Sequence, residues 1–152
     1  MLLLNSLEFK RSDKIIFNEI NISASSGKII LINGNNGSGK TTLLKTIVGV
    51  LEPTNGEIFW MGKKIKKNLF NFYSNTTFIM DKPTSSKSLT VLENIYFWKN
   101  LSISKITFDE INKLLEILEL KNYKNKQVGF LSLGEIKKLE LARLIVERKK
   151  LW

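Results

Sequence analysis

The rhythm of apolar and polar positions changes three times along the chain. Residues 3–10 and 14–22 mix the two types closely, with Ile16, Ile20 and Ile22 among polar neighbours and Ser12-Asp13 between the stretches. That pattern predicts two strands joined by a turn. Ser25-Ser26-Gly27 predicts another turn, and residues 28–33 (KIILIN) form a short apolar run suited to a strand buried on both faces. A glycine-rich loop follows, then a helical stretch over 40–48. After the loop 49–56, residues 57–61 and 76–80 read as strands.

Beyond Pro83 the spacing becomes helical. Residues 91–100 carry Val91, Leu92, Ile95, Tyr96 and Trp98. Thr107-Phe108-Asp109-Glu110 has the capping-box pattern, followed by Ile111, Leu114, Leu115 and Leu118 on one face. Ser132-Leu133-Gly134-Glu135 repeats the capping pattern before a helix over 136–149. Strand, loop and helix in alternation, with an apolar strand ahead of the glycine loop, predict an α/β fold. Only Pro53 and Pro83 occur, and no low-complexity linker or repeat interrupts the 152 residues, so one domain is expected.

Composition removes several chemistries. There is no cysteine and no histidine, which excludes disulfides, a thiol nucleophile, Cys/His zinc sites and a histidine base. The net charge of +10 invites a nucleic-acid or anionic-surface reading. Lysine supplies 21 of the 24 positive charges, however, and arginine, the residue preferred for bidentate phosphate and base contacts, occurs three times. Lysine, asparagine and isoleucine together have the bias of AT-rich coding. No nucleic-acid partner is expected, and the run Lys63, Lys64, Lys66, Lys67 reads as a solvated turn. No stretch reaches the ~18 apolar residues of a membrane-spanning helix.

The strongest motif is Gly34-Asn35-Asn36-Gly37-Ser38-Gly39-Lys40-Thr41, a full G-x-x-x-x-G-K-[ST] loop, with Thr42 following. Its glycines let consecutive main-chain N–H groups converge on phosphate oxygens, and the helix start adds its positive dipole end. Lys40 would neutralise the outer phosphates and Thr41 would offer its hydroxyl to Mg²⁺. Guanine-specific chemistry is not supported. Asn125-Lys126-Gln127-Val128 lacks the aspartate of N-K-x-D, and none of Asp13, Asp81 or Asp109 has glycine three residues on.

Three further segments resemble the ATP-binding subunits of ABC transporters. They are residues 49–58 (GVLEPTNGEI), residues 89–95 (LTVLENI) and the signature-like Leu131-Ser132-Leu133-Gly134-Glu135, followed by Leu141-Ala142-Arg143-Leu144. Within the family, residues 90–101 (TVLENIYFWKNL), Gly56-Glu57-Ile58-Phe59-Trp60 and Lys150-Leu151-Trp152 are most similar to the haem-exporter group serving cytochrome c maturation. Another ABC exporter or importer, a DNA-repair ABC ATPase and a non-catalytic interaction module are the alternatives. The repair type carries a long insertion between positions corresponding to Asp81 and Leu131, which are too near each other here to hold one.

The resemblance implies a P-loop fold of ABC type, with an incomplete central parallel sheet, an antiparallel β part within about 1–80, a helical part over about 84–131 and the signature helix over 132–150. It implies ATP and Mg²⁺ as ligands. Implied partners are a second ATP-binding subunit, which would make a homodimer, and integral membrane subunits. The implied location is peripheral, on the cytoplasmic face of a bacterial inner membrane or the matrix face of a mitochondrial one. Ser132 and Gly134 would face the γ-phosphate of nucleotide held by the opposite subunit.

Four positions depart from the family pattern. Leu133 replaces a glycine and Glu135 a glutamine. Asp81 stands at the Q-loop position, from which it would reach Mg²⁺ through water. Arg11 stands where an aromatic ring would stack on adenine, Phe9 being expected to face inward. The sequence stops where the Walker B strand would begin, so no catalytic residue is assigned and useful hydrolysis by these 152 residues is not expected.

Overall fold

The computed structural model describes residues 1–152. The backbone divides into two compact units, residues 1–72 and residues 73–152.

The first unit is built on one antiparallel sheet of four strands: β1 (Leu2–Arg11), β2 (Lys14–Ala24), β3 (Asn55–Trp60) and β4 (Lys63–Lys64), in the order β2-β1-β3-β4. β1 buries Leu2, Leu4, Leu7 and Phe9. Strict alternation would put Leu4 and Leu7 on opposite faces. A bulge resolves this: Ser6 has φ 46°, and the register with both neighbouring strands shifts there. Gly56 on β3 takes up the intruding backbone, since a Cβ at that position would lie 2.3 Å from the Ser6 carbonyl oxygen. Phe9 faces inward as expected, its ring 5.9 Å from that of Phe17. Trp60 meets Phe72 edge to face at 6.0 Å. Helix α1 (Lys40–Ile47) buries Leu43, Thr46 and Ile47.

The lysine run forms β4 and a 3₁₀ turn over Ile65–Lys67. Ile65 is buried, while Lys64 pairs with Glu57 and Lys66 with Glu52. The short helix α2 (Leu69–Ser74) spans the division between units.

The second unit is helical. Its main elements are α3 (Val91–Leu101), α4 (Phe108–Ile117) and α5 (Leu133–Glu147). Each begins with a complete capping box: Thr90 with Glu93, Thr107 with Glu110, Ser132 with Glu135. Such a box satisfies two otherwise orphaned N–H groups. The core joins Val91, Ile95 and Trp98 of α3 to Ile111, Leu114 and Leu115 of α4 and to Ile136, Leu139, Ala142 and Val146 of α5.

Two strand expectations need correction. Residues 28–33 form no strand, and Ile29 is 95% exposed and Leu31 85%. Residues 76–80 form no ladder either; only a parallel bridge joins Thr76 to Leu151, supported by Thr77 N–H donating to the Leu151 carbonyl at 2.8 Å. The physical reason is common to both. An apolar run becomes a strand only where a neighbour takes its N–H and C=O groups, and neither segment has a paired neighbour beyond that bridge. The parallel part of the expected sheet is thus represented by a single bridge.

Candidate functional site

The glycine loop enters α1 without any side-chain cap. Gly39 sits at the N-cap with φ 92° and makes no capping hydrogen bond. This sets α1 apart from the three boxed helices, because its first N–H groups are left to an outside acceptor. The site of Gly39 is also narrow: an added Cβ would lie 2.7 Å from Ile16 Cγ2 and 3.3 Å from the Ile16 carbonyl oxygen. Only glycine meets both the left-handed backbone and the approach of β2.

Lys40 folds back over the loop. Its Nζ donates to the carbonyls of Gly34 at 2.7 Å and Asn35 at 2.8 Å. Ser38 N–H donates to Asn35 C=O at 3.2 Å, which closes the turn through Asn36 and Gly37. Asn33 Oδ1 accepts from Gly34 N–H at 3.2 Å. Residues 34–38 and Thr41 are exposed, and Thr42 is half-buried. A flexible ammonium, a glycine-rich backbone and an open helix N-terminus therefore meet on one accessible surface. That donor set suits a polyphosphate, and the Thr41 hydroxyl at the first turn suits a hard cation bound with it.

The signature-like segment is arranged differently. Leu131 is buried and anchors it, and Ser132 caps α5. Glu135 turns back, its carboxylate accepting from Ser132 N–H at 2.6 Å. The Ser132 N–H, then the Ser132 hydroxyl, hold the Glu135 carboxyl below its usual range; Tyr123 and Lys126 act in the same direction, and desolvation works against them. The Tyr123 hydroxyl is raised in turn, first by its hydrogen bond to Glu135. Glu135 thus neutralises its own helix start instead of projecting outward. Leu133 is 81% exposed, and a Cβ added at Gly134 would meet nothing within 4 Å. Folding does not require that glycine, although it costs about 1 kcal/mol of helix propensity relative to alanine.

Asp81 is exposed, and its carbonyl accepts from Lys137 Nζ at 2.8 Å. Arg11 is exposed at the tip of the β1–β2 hairpin, opposite Lys14. In the first unit the structure gathers Gly34 to Thr42; in the second it joins Asp81 to α5 through Lys137.

One cluster escaped the sequence reading. Glu140, on α5, is 1% exposed. Its Oε1 accepts from the N–H groups of Thr84 at 2.9 Å and Ser85 at 2.8 Å, and its Oε2 accepts from the Thr84 hydroxyl at 2.9 Å. Arg143 donates to the Thr84 hydroxyl at 2.8 Å and to Glu147 at 2.8 Å, and its guanidinium lies 5.5 Å from the Trp98 ring centre. Glu147 also accepts from the Thr77 hydroxyl at 2.6 Å. The available signal was a carboxylate directly after Leu139 and two residues before Ala142, on the buried side of α5.

Comparison with known proteins bears directly on these features. The family model described as ABC transporter matches residues 17–152. The chain is 37% identical over 145 residues to the cytochrome c biogenesis ATP-binding export protein CcmA of Reclinomonas americana, covering 93% of this chain and 64% of that protein. It is 32% identical over 152 residues to the protein of the same name from Aliivibrio fischeri, covering 100% of this chain and 74% of the relative. Among solved structures, an ABC transporter ATP-binding protein from Pyrococcus furiosus superposes with a TM-score of 0.85 at 30% identity, over 97% of this chain and 71% of the other. The cbiO1 subunit from Clostridium perfringens superposes with a TM-score of 0.75 at 27% identity, over 99% and 63%. The chain therefore spans 64% and 74% of the length of the two curated relatives and 71% and 63% of the two solved chains. With an open glycine loop at α1, a boxed signature-like segment at α5 and these matches across nearly all its residues, the chain belongs to the ABC transporter family and is similar within it to the CcmA proteins.

Proposed function

We propose that the chain is an ATP-binding subunit of an ABC transporter that serves haem export for cytochrome c biogenesis. The observation that carries the nucleotide reading is Lys40, whose ammonium is held by the Gly34 and Asn35 carbonyls at the mouth of an uncapped helix. An ammonium poised on two exposed carbonyls can exchange them for phosphate oxygens with little rearrangement of the loop.

In this reading the amides of Gly37 to Thr42 and the Lys40 ammonium hold the phosphates, and Thr41 holds Mg²⁺. A second ATP-binding subunit would close over the nucleotide held there, and ATP binding and hydrolysis would be coupled to motion of the membrane partner. Ser132 and Gly134 serve the nucleotide of the opposite subunit. The absence of any steric need for Gly134 supports close approach by a ligand there. Asp81 stands at the position that senses Mg²⁺, and Arg11 is the candidate for stacking on adenine. The membrane partners are integral transporter subunits. No helix is long and apolar enough to cross a membrane, and the subunit is placed peripherally, on the cytoplasmic or matrix face of an inner membrane. Residues 1–152 act as one ATP-binding domain, not as a nucleic-acid binder.

Calorimetric titration with Mg-ATP tests the nucleotide claim: association lost in Lys40→Ala supports it, and no heat with the unmodified chain at millimolar nucleotide overturns it. The cytochrome claim is tested in cells. Disrupting the gene should abolish covalent haem on c-type cytochromes; normal haem staining alongside retained ATP binding would favour another ABC exporter or importer.

A further inference from the structure

Residues 77–85 contain no helix or strand, yet side chains on one face of α5 grip them along their length. Lys137 Nζ donates to the carbonyls of Met80 at 3.2 Å and Asp81 at 2.8 Å. Glu140 takes the N–H groups of Thr84 and Ser85 and the Thr84 hydroxyl. Arg143 donates to the same hydroxyl, and Glu147 holds Thr77. Spacings of three or four residues set these four side chains along a single stripe of α5. The segment runs from the C-terminal part of α5 toward its start, turns at Pro83, and returns to its middle.

Glu140 is the costly member. A carboxylate removed from water is tolerated only when its oxygens are satisfied, and an apolar residue of similar size beside Leu139 and Ala142 would avoid that cost. What the carboxylate adds is placement: one oxygen fixes two consecutive N–H groups in a segment whose backbone has little other pairing.

We propose that Glu140 is a positioning residue that makes the segment 77–85, Asp81 included, a rigid part of the signature helix. A displacement of Asp81 then tilts α5 and its capped start at Ser132, and the reverse holds equally. The functional consequence rests on the nucleotide reading above. The clamp itself does not, and it is tested without nucleotide.

The test is native-state amide hydrogen exchange on the 152-residue chain across a series of low denaturant concentrations. In the unmodified chain, the amides of Thr84 and Ser85 should exchange through the same opening as those around Leu139, with the same denaturant dependence. In Glu140→Ala they should exchange at least tenfold faster, by a local opening insensitive to denaturant, while Ile95 changes less than twofold. Glu140→Gln keeps a carbonyl for both N–H groups but loses the Oε2 acceptor of the Thr84 hydroxyl and the ion pair with Arg143 at 3.7 Å, and its rates should fall between those of the unmodified chain and of Glu140→Ala. If Glu140→Ala fails to fold, Glu140→Asp, which draws the carboxylate back by one methylene, should show the same local opening. Unchanged protection in the shortened variant, or equal loss in the shortened and glutamine variants, overturns the proposal. Mg-ATP titration of the same proteins separates the two claims. Absence of binding by the unmodified chain removes the nucleotide reading and leaves the exchange result standing.

Discussion

Lys40 Nζ lies 2.7 Å from the carbonyl oxygen of Gly34, six residues earlier, so the glycine loop closes on its own lysine. Both partners are accessible to solvent, and hydrogen bonds of that kind contribute little to net stability. Lys40→Ala is therefore expected to unfold within about 0.5 kcal/mol of the unmodified chain. Its affinity for Mg-ATP should fall roughly ten- to a hundredfold, the scale of a lost charge-assisted hydrogen bond of about 1.5–3 kcal/mol. Urea unfolding and calorimetry on the same preparation check both halves.

Two glycines should answer differently to alanine. Gly39 combines φ 92° with a Cβ position 2.7 Å from Ile16 Cγ2. Gly39→Ala is expected to cost about 2 kcal/mol or more, from left-handed strain and overpacking together. Gly134 lies in the first turn of α5 with open space around it. Gly134→Ala is expected to stabilise the fold by up to about 1 kcal/mol, while weakening any ATP-dependent pairing of subunits. Denaturation midpoints and ATP-dependent sedimentation report the two effects separately.

The capping carboxylates set an acid limit. Glu93, Glu110 and Glu135 are each held below the usual glutamate range, first by the N–H of Thr90, Thr107 and Ser132 respectively. A folded-state pKa below the unfolded one contributes stability that is complete above the unfolded value, near 4.3, and is lost as pH falls through the folded value. Stability should therefore be level from about pH 6 to pH 5 and decline below about pH 4.3. Glu135→Gln should flatten part of that decline, as read by urea titrations at stepped pH. The same change removes a negative charge beside Ser132 and should strengthen ATP-dependent pairing if that helix start meets phosphate.

Ile29 and Leu31 are almost wholly exposed in a segment without strand partners. Contiguous exposed apolar side chains promote association. The double change Ile29→Ser and Leu31→Ser should lower self-association in light scattering and leave the unfolding midpoint nearly unchanged, because neither side chain is packed. A large loss of stability in that variant would contradict the exposed placement.

Local chemistry in the sequence was enough to determine the loop and the helix starts. Gly34, Gly37 and Gly39 take the positive φ that the G-x-x-x-x-G-K-T spacing provides for, and Thr90, Thr107 and Ser132, each followed three residues later by glutamate, cap their helices through contacts only a turn long. The β1–β2 hairpin was legible for the same reason. Tertiary structure alone decided what depended on distant partners. The apolar run 28–33 gave no sign of whether a neighbour would pair with it, and the place of Glu140 beside Leu139 could not tell that Thr84 and Ser85, more than fifty residues earlier, would satisfy its carboxylate. Short-range hydrogen bonds are written into adjacent residues; burial is settled only when segments far apart in the chain meet.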